Sequence, residues 1–422
     1  MLRRIALSAL LMIANPSALG GAADDNWILA TDQLPFDSPD GMQTRTVWGE
    51  LDGAGYRWEI PDNWNGDLVV YARPLRSSRH PTLEVTNPPQ REALLERGFA
   101  WTASSFDYNG YHVQSGIDHS HRLLHHFSEA EEKPGRVYLM GHDLGGQIAA
   151  ASAEQHPESY DGVLSLCAPL VDTALLDYLM GYTLAAKALA GVDARFPDPE
   201  FQERTRPDVL DALGPNYPTV VRPAGEELLF LHTRLAGGPH PLSDAALDAW
   251  GTLLFDFGHM DGSLGGLAPG NVIDTQHLLY QLPDPEREAW LNGQTLRLEP
   301  DPQIRRAGVE AIPATTGEIG IPVLTLSGLG DLYVPLSIQQ AYAERVAAAG
   351  QEEKLVQRVV RDVGHCTFTA EEELAAFDAL VDWVENQRRP AGDAVLDNAS
   401  VRGPGFGCRF TAEERPGLPA CP

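Results

Sequence analysis

Three residues of this 422-residue chain, Asp143, Asp331 and His365, have the types and the order that covalent catalysis needs. Asp143 stands in RVYLMGHDLGG, residues 136–146, where an apolar run reads as a buried strand and Gly-x-x-x-Gly-Gly opens a helix. The glycines permit a sharp turn that lifts the side chain between them above the sheet. The helix that follows presents free N–H groups and the positive end of its dipole. A carboxylate in that place is the candidate nucleophile. Asp331, in LSGLGDLYVP, and His365, in RDVGHCTF, each follow an apolar strand further along. His365 would move protons, while Asp331 fixes its tautomer and stabilises its cation. Taken singly, each has a plainer explanation, the two acids as helix caps and the histidine as a satisfied polar group. Their order at three strand ends favours the catalytic assignment. Asp172, after the strand that ends at Cys167, is the alternative acid.

The elements around these residues predict an α/β domain with a mostly parallel sheet and a helical lid insertion. RTVWGELDG and AGYRWEIPD read as an antiparallel pair, after which strands and helices alternate through GDLVVYARP, AWTASS, RVYLMGHD and DGVLSLCAP. The near-continuous apolar strands suit a sheet covered on both faces. The alternation breaks over residues 171–317, where helical segments mix with Pro- and Gly-rich connectors, and resumes with IPVLTLSG and KLVQRVVRDVG. The expected organisation is a leader at 1–23, core at 24–170, mainly helical lid at 171–317, core at 318–390 and a tail at 391–422.

The leader is read from Arg3 and Arg4, the apolar run at residues 5–14 and the small residues Gly21, Ala22 and Ala23. Its apolar core falls short of the roughly 20 residues of a spanning helix, so a cleaved secretory signal is expected and the protein is secreted or periplasmic. The balance of 31 Lys and Arg against 59 Asp and Glu gives a net charge of −28. Such a surface repels nucleic acid and anionic membranes, so neither is expected as a partner, and a small-molecule substrate is. Oligomeric state is open. Cys408 and Cys421 lie close in the Gly- and Pro-rich tail, and in an oxidising compartment they are expected to pair and tie it down. His121 and His125 have metal-ligand spacing but no His-Glu-x-x-His pattern. They read as a solvated helix face, and no metal or other cofactor is expected.

From residue 64 to 387 the chain resembles the α/β-hydrolase superfamily. NWNGDLVVYARP, LLERGFAWTASS, GHDLGG, GLGDLYVPLS and VGHCTF are similar to a group of secreted bacterial esterase-like hydrolases, which carry serine at the elbow. The His365–Cys366 pair resembles the tannase and feruloyl esterase pattern, in which a disulfide braces the catalytic histidine. Here His142, not cysteine, precedes the nucleophile, so the partner expected for Cys366 is Cys167, which the fold brings near the site. Aspartate at the elbow resembles haloalkane dehalogenases and epoxide hydrolases instead. Those usually have Trp after the nucleophile and a His-Gly-x-Pro loop after the third strand. This chain has Leu144 and residues 71–75, Tyr-Ala-Arg-Pro-Leu. The oxyanion donors implied are the N–H of Leu144 and, since Pro74 has none, that of Leu75 or Arg73. Arg73 is expected to meet an anionic substrate group or Asp143. His142, Tyr108 and Tyr178 are the other candidate substrate contacts, with Tyr111, Tyr182 and Tyr280 as further tyrosines near the site or in the lid.

A carboxylate suits attack on an epoxide or alkyl halide carbon, because displacement leaves a stable alkyl ester that water can then hydrolyse. Against an acyl carbonyl it would form a reactive anhydride. The expected function is a hydrolase acting through an alkyl–enzyme ester. The alternative is a carboxylic ester hydrolase by lineage, tannase- or feruloyl-esterase-like, in which Asp143 replaces serine and leaves weak activity or ligand binding.

Overall fold

The computed structural model describes residues 27–422. The leader expected at 1–23 lies outside them. Among the described residues there are ten strands: β1 (Ile28–Leu29), β2 (Thr44–Leu51), β3 (Ala54–Pro61), β4 (Leu68–Ala72), β5 (Thr82–Leu83), β6 (Ala100–Ser104), β7 (Val137–His142), β8 (Gly162–Leu166), β9 (Val323–Gly328) and β10 (Leu355–Val360). β1 and β5 form a small parallel pair. The other eight make one sheet in the order β10-β9-β8-β7-β4-β6-β3-β2. The anticipated β2–β3 pair is antiparallel, with Val47 opposite Trp58, and β3 runs antiparallel to β6. Every other neighbour in this sheet is parallel.

The strands are apolar throughout because both faces are covered. In β4, Leu68, Val70 and Ala72 point into one core, shared with α2 (Val113–Ala130) and α3 (Leu144–Gln155). Val69 and Tyr71 point into the other, shared with α1 (Arg91–Glu96) and α11 (Ala370–Asn386). Gly116 of α2 lets Ile148 of α3 approach so closely that a Cβ there would lie 2.2 Å from the isoleucine Cδ1.

Between β8 and β9 the chain leaves the sheet and builds α4 (Ala174–Ala190), α5 (Arg206–Leu213), α6 (Pro223–Leu235), α7 (Ser243–Trp250), α8 (Pro285–Gln294) and α9 (Pro302–Ala307). α4 is buried along nearly its whole length, with α5, α6 and α8 packed around it. α10 (Leu336–Ala348) returns the chain from β9 to β10. After α11 the tail carries α12 (Asn398–Arg402). Two disulfides join Cys167 to Cys366 and Cys408 to Cys421, both as anticipated. Among the described residues no helix is long and apolar enough to cross a membrane.

Candidate active site

β7 ends at His142, and α3 begins at Leu144, so the chain reverses at Asp143 alone. That residue takes φ 53° and ψ −122°, a strained conformation for a side chain with a Cβ. Close approach of glycines permits the turn. A Cβ on Gly145 would lie 2.1 Å from the Ala72 carbonyl oxygen, and one on Gly141 would lie 2.1 Å from that of Gly145. The Asp143 carbonyl accepts from Gly146 and Gln147, which begins the helix beneath it. The N–H of Leu144, at the first helical position, has no partner one turn back.

Asp143, Asp331 and His365 come together. His365 Nδ1 lies 2.6 Å from Asp331 Oδ2, and His365 Nε2 lies 3.5 Å from Asp143 Oδ1. Asp331 follows β9, and its Oδ1 accepts the N–H groups of Tyr333 and Val334, which orients the carboxylate. The other oxygen of Asp143, Oδ2, accepts the Leu75 N–H at 3.0 Å. One carboxylate oxygen is thus held by a backbone donor while the second faces the imidazole. Burial by itself would strip the proton from His365. The Asp331 charge and the hydrogen bond and charge of Asp143 outweigh it and raise the ring to about 10. At neutral pH the histidine is an imidazolium between two carboxylates.

The loop bearing His365 is pinned on several sides. Cys366 is bonded to Cys167 at the end of β8. Trp250 of α7 donates its indole N–H to the Val363 carbonyl at 2.5 Å. The Tyr333 ring meets the His365 ring edge-on, with centroids 4.8 Å apart.

Several anticipated contacts are engaged elsewhere. Arg73 does not pair with Asp143. Its guanidinium donates to the carbonyls of Ser105, Pro74 and Tyr108 and to Asn109 Oδ1, so it braces two loops rather than offering a free charge. His142 alternates to the opposite face of the sheet from the one carrying α3. There it meets Glu373 of α11 at 3.2 Å and the Tyr71 hydroxyl at 3.3 Å. Tyr178 is buried, with its hydroxyl on His232 Nε2 and the Leu332 carbonyl. Tyr108 is half-buried against Trp27 and His112. Asp172 is bound by Arg345 and the Thr315 N–H, which takes it away from His365. Tyr182 bonds to Tyr217 and the Gly251 carbonyl inside the insertion. His121 and His125 share a 3.0 Å contact, and His121 stacks on His156. Cys167, His365 and Cys366 cluster closely enough for a metal, but their two sulfurs are bonded to each other.

Tyr333 was not anticipated. Its signal in the sequence is its place two residues after Asp331 in the loop that positions the acid. Burial first, and the charge of Asp143 next, keep the Tyr333 phenol protonated well above its ordinary range. The same holds for Tyr111, whose hydroxyl donates to Gln147 at 2.6 Å.

No protein-family model matches the chain. It is 22% identical to the o-phthalyl amidase of Xanthobacter agilis over 430 residues, covering 86% of this chain and 93% of that protein. Among solved structures it is similar to feruloyl esterase B from Aspergillus oryzae, at a TM-score of 0.51 and 14% identity over 89% of this chain and 86% of that one. An esterase from the same fungus aligns at a TM-score of 0.49 and 15% identity over 80% and 78% of the two chains. The mixed eight-stranded sheet with its strand–turn–helix elbow, and the likeness to the feruloyl esterase, identify the fold of the chain as that of the α/β-hydrolases.

Proposed function

We propose that this protein is an exported hydrolase that opens an epoxide through a covalent ester on Asp143. The observation that carries this is the divided Asp143 carboxylate, with Oδ2 on the Leu75 N–H and Oδ1, the attacking oxygen, facing His365. Oδ1 attacks the less hindered ring carbon, and the carbon–oxygen bond of the epoxide breaks. The departing oxygen takes a proton from a phenol, for which Tyr333 is the candidate donor, and Tyr111 a second one if it leaves Gln147. Esterification removes the Asp143 charge, and with it part of what holds the proton on His365. The imidazolium then returns a proton to the phenolate and becomes a neutral base.

His365 next takes a proton from water, which attacks Cγ of the ester. The negative charge develops on Oδ2, which already accepts the Leu75 N–H, with the N–H of Leu144 at the helix start as the proposed second donor. Collapse releases the diol and restores the carboxylate and the imidazolium, so the protons balance over the cycle. An alkyl halide would leave as an anion needing no proton. A phenol proton donor beside the leaving group would then have no use, which favours the epoxide. The two disulfides support an oxidising destination.

A second reading rests on the amidase relative, which spans nearly the whole chain. By it the lineage is one of ester or amide hydrolases, with Asp143 in place of the usual serine. The test is a comparison of the purified protein with Asp143→Asn and Asp143→Ser on epoxides, haloalkanes and aryl esters. Diol formation by the parent, lost in both variants, upholds the covalent aspartate. An inert parent, with esterase activity gained by Asp143→Ser, overturns it in favour of the second reading.

A further inference from the structure

The C-terminal tail lies against the back of the loop that carries His365, and two arginines join them. Arg361, the residue after β10, is 3% exposed, and it meets the tail through its whole guanidinium. Nε donates to the Phe406 carbonyl at 3.0 Å, Nη1 to those of Pro419 and Ala420 at 3.3 and 3.0 Å, and Nη2 to that of Pro404. Its own N–H donates to Thr411 Oγ1 at 2.8 Å. A buried cation is costly unless its donors are satisfied, and the satisfaction here comes from tail backbone.

The acceptors fall in two groups, 404 and 406 just before Cys408, and 419 and 420 just before Cys421. The Cys408–Cys421 disulfide therefore assembles the cage around the guanidinium. Gly407 completes the fit. At φ 79°, a Cβ there would lie 3.3 Å from both Arg361 Cγ and Leu329 Cδ2.

Arg415 makes the second connection. Its Nε donates to Asp362 Oδ2 at 2.7 Å and its Nη2 to Glu372 Oε2 at 2.6 Å. Asp362 Oδ1 accepts the Gly364 N–H at 2.8 Å, immediately before His365. Glu372, in the first turn of α11, accepts the Thr369 N–H through Oε2 and the Ala412 N–H through Oε1. One tail guanidinium thus ties together the two ends of the segment in whose middle His365 sits.

We propose that the tail, residues 403–422, is a positioning element for His365, acting through Arg361 and through the Arg415 bridge between Asp362 and Glu372. The inference rests on the role given to His365 above. Its test reads the imidazole itself, so a different substrate class would leave it standing. The charged and titratable groups that face the ring are Asp331 and Tyr333 from the loop after β9 and Asp143 from the elbow. Their effect depends on distances of 2.6 and 3.5 Å to the carboxylates, and a loosened loop lengthens both.

The experiment is an NMR titration of the His365 ring, assigned with His365→Gln, in the full chain. Arg415→Gln and Cys408→Ser/Cys421→Ser are expected to lower its midpoint by about one pH unit. Arg415→Lys should restore most of that loss. Arg287→Gln, which removes an ion pair with Glu227 in the insertion, should leave the midpoint unchanged. A midpoint unmoved in the tail variants, even with a lowered melting temperature, overturns the proposal, because the tail would then only add stability. If Arg415→Gln fails to fold, the cysteine pair still decides it.

Discussion

His365 is held as a cation by two carboxylates, and that has a consequence for stability. In the unfolded chain the ring has its ordinary value of 6.5, and in the fold it is raised to about 10. The folded state therefore binds the proton more tightly. The stabilisation is complete below about pH 6.5 and is lost as pH rises through about 10. Thermal unfolding of the wild type and His365→Gln from about pH 6 to about pH 10.5 should show a difference that shrinks with rising pH. A constant difference would mean the carboxylates do not raise the ring. Asp331→Asn keeps the shape of the partner and removes its charge. It should lower turnover of the proposed substrate by about 10⁴-fold, measured under saturating conditions. A loss below about tenfold would assign Asp331 to structure alone.

The elbow and the histidine loop are each made by close contact. Gly145→Ala would drive a methyl into the Ala72 backbone at 2.1 Å, where neither main chain can yield. We expect a loss of about 3 kcal/mol or more, or failure to fold, read by urea unfolding. A fully stable Gly145→Ala would show that the two backbones can move apart at the elbow. The Cys167–Cys366 bond closes a loop of 199 residues and joins two backbone positions of positive φ. Cys167→Ser/Cys366→Ser should cost about 2–5 kcal/mol by the same measurement. An unchanged urea midpoint would leave Trp250 and the tail as the contacts that hold the loop.

The molecule as a whole carries a net charge of −28. Most of its ion pairs join partly exposed groups, whose individual contributions are about 0–1 kcal/mol. The excess of acidic groups adds a longer-range repulsion, which we expect to outweigh these pairs and which salt screens over about 10 Å at 0.1 M. The melting temperature should therefore rise between about 0.01 and about 0.5 M sodium chloride. A fall would mean that the ion pairs dominate. The insertion also belongs to this scale, since Trp250 and Tyr178 reach from it to the loops of His365 and Asp331. Its helices thereby hold the two loops from above.

The order of strands and helices was legible because apolar runs and glycine-bounded turns are local signals. β4, β6, β7, β8, β9 and β10 all fall within the anticipated apolar segments. Asp143, Asp331 and His365 could be named because each stands just past such a strand, and parallel strands bring their ends to one edge. Side-chain direction was not legible. One residue of register decides that His142 faces α11 while its neighbour Asp143 faces His365. Arg73 looked like a free charge, yet its guanidinium is spent on backbone carbonyls 32 and 35 residues further along the chain. Arg415 meets Asp362 and Glu372 across 53 and 43 residues of chain and carries no motif. Local pattern thus determined which elements form and which residues end them. Only the packed chain decided where each side chain points and what it meets, because those contacts depend on separation in space rather than along the sequence.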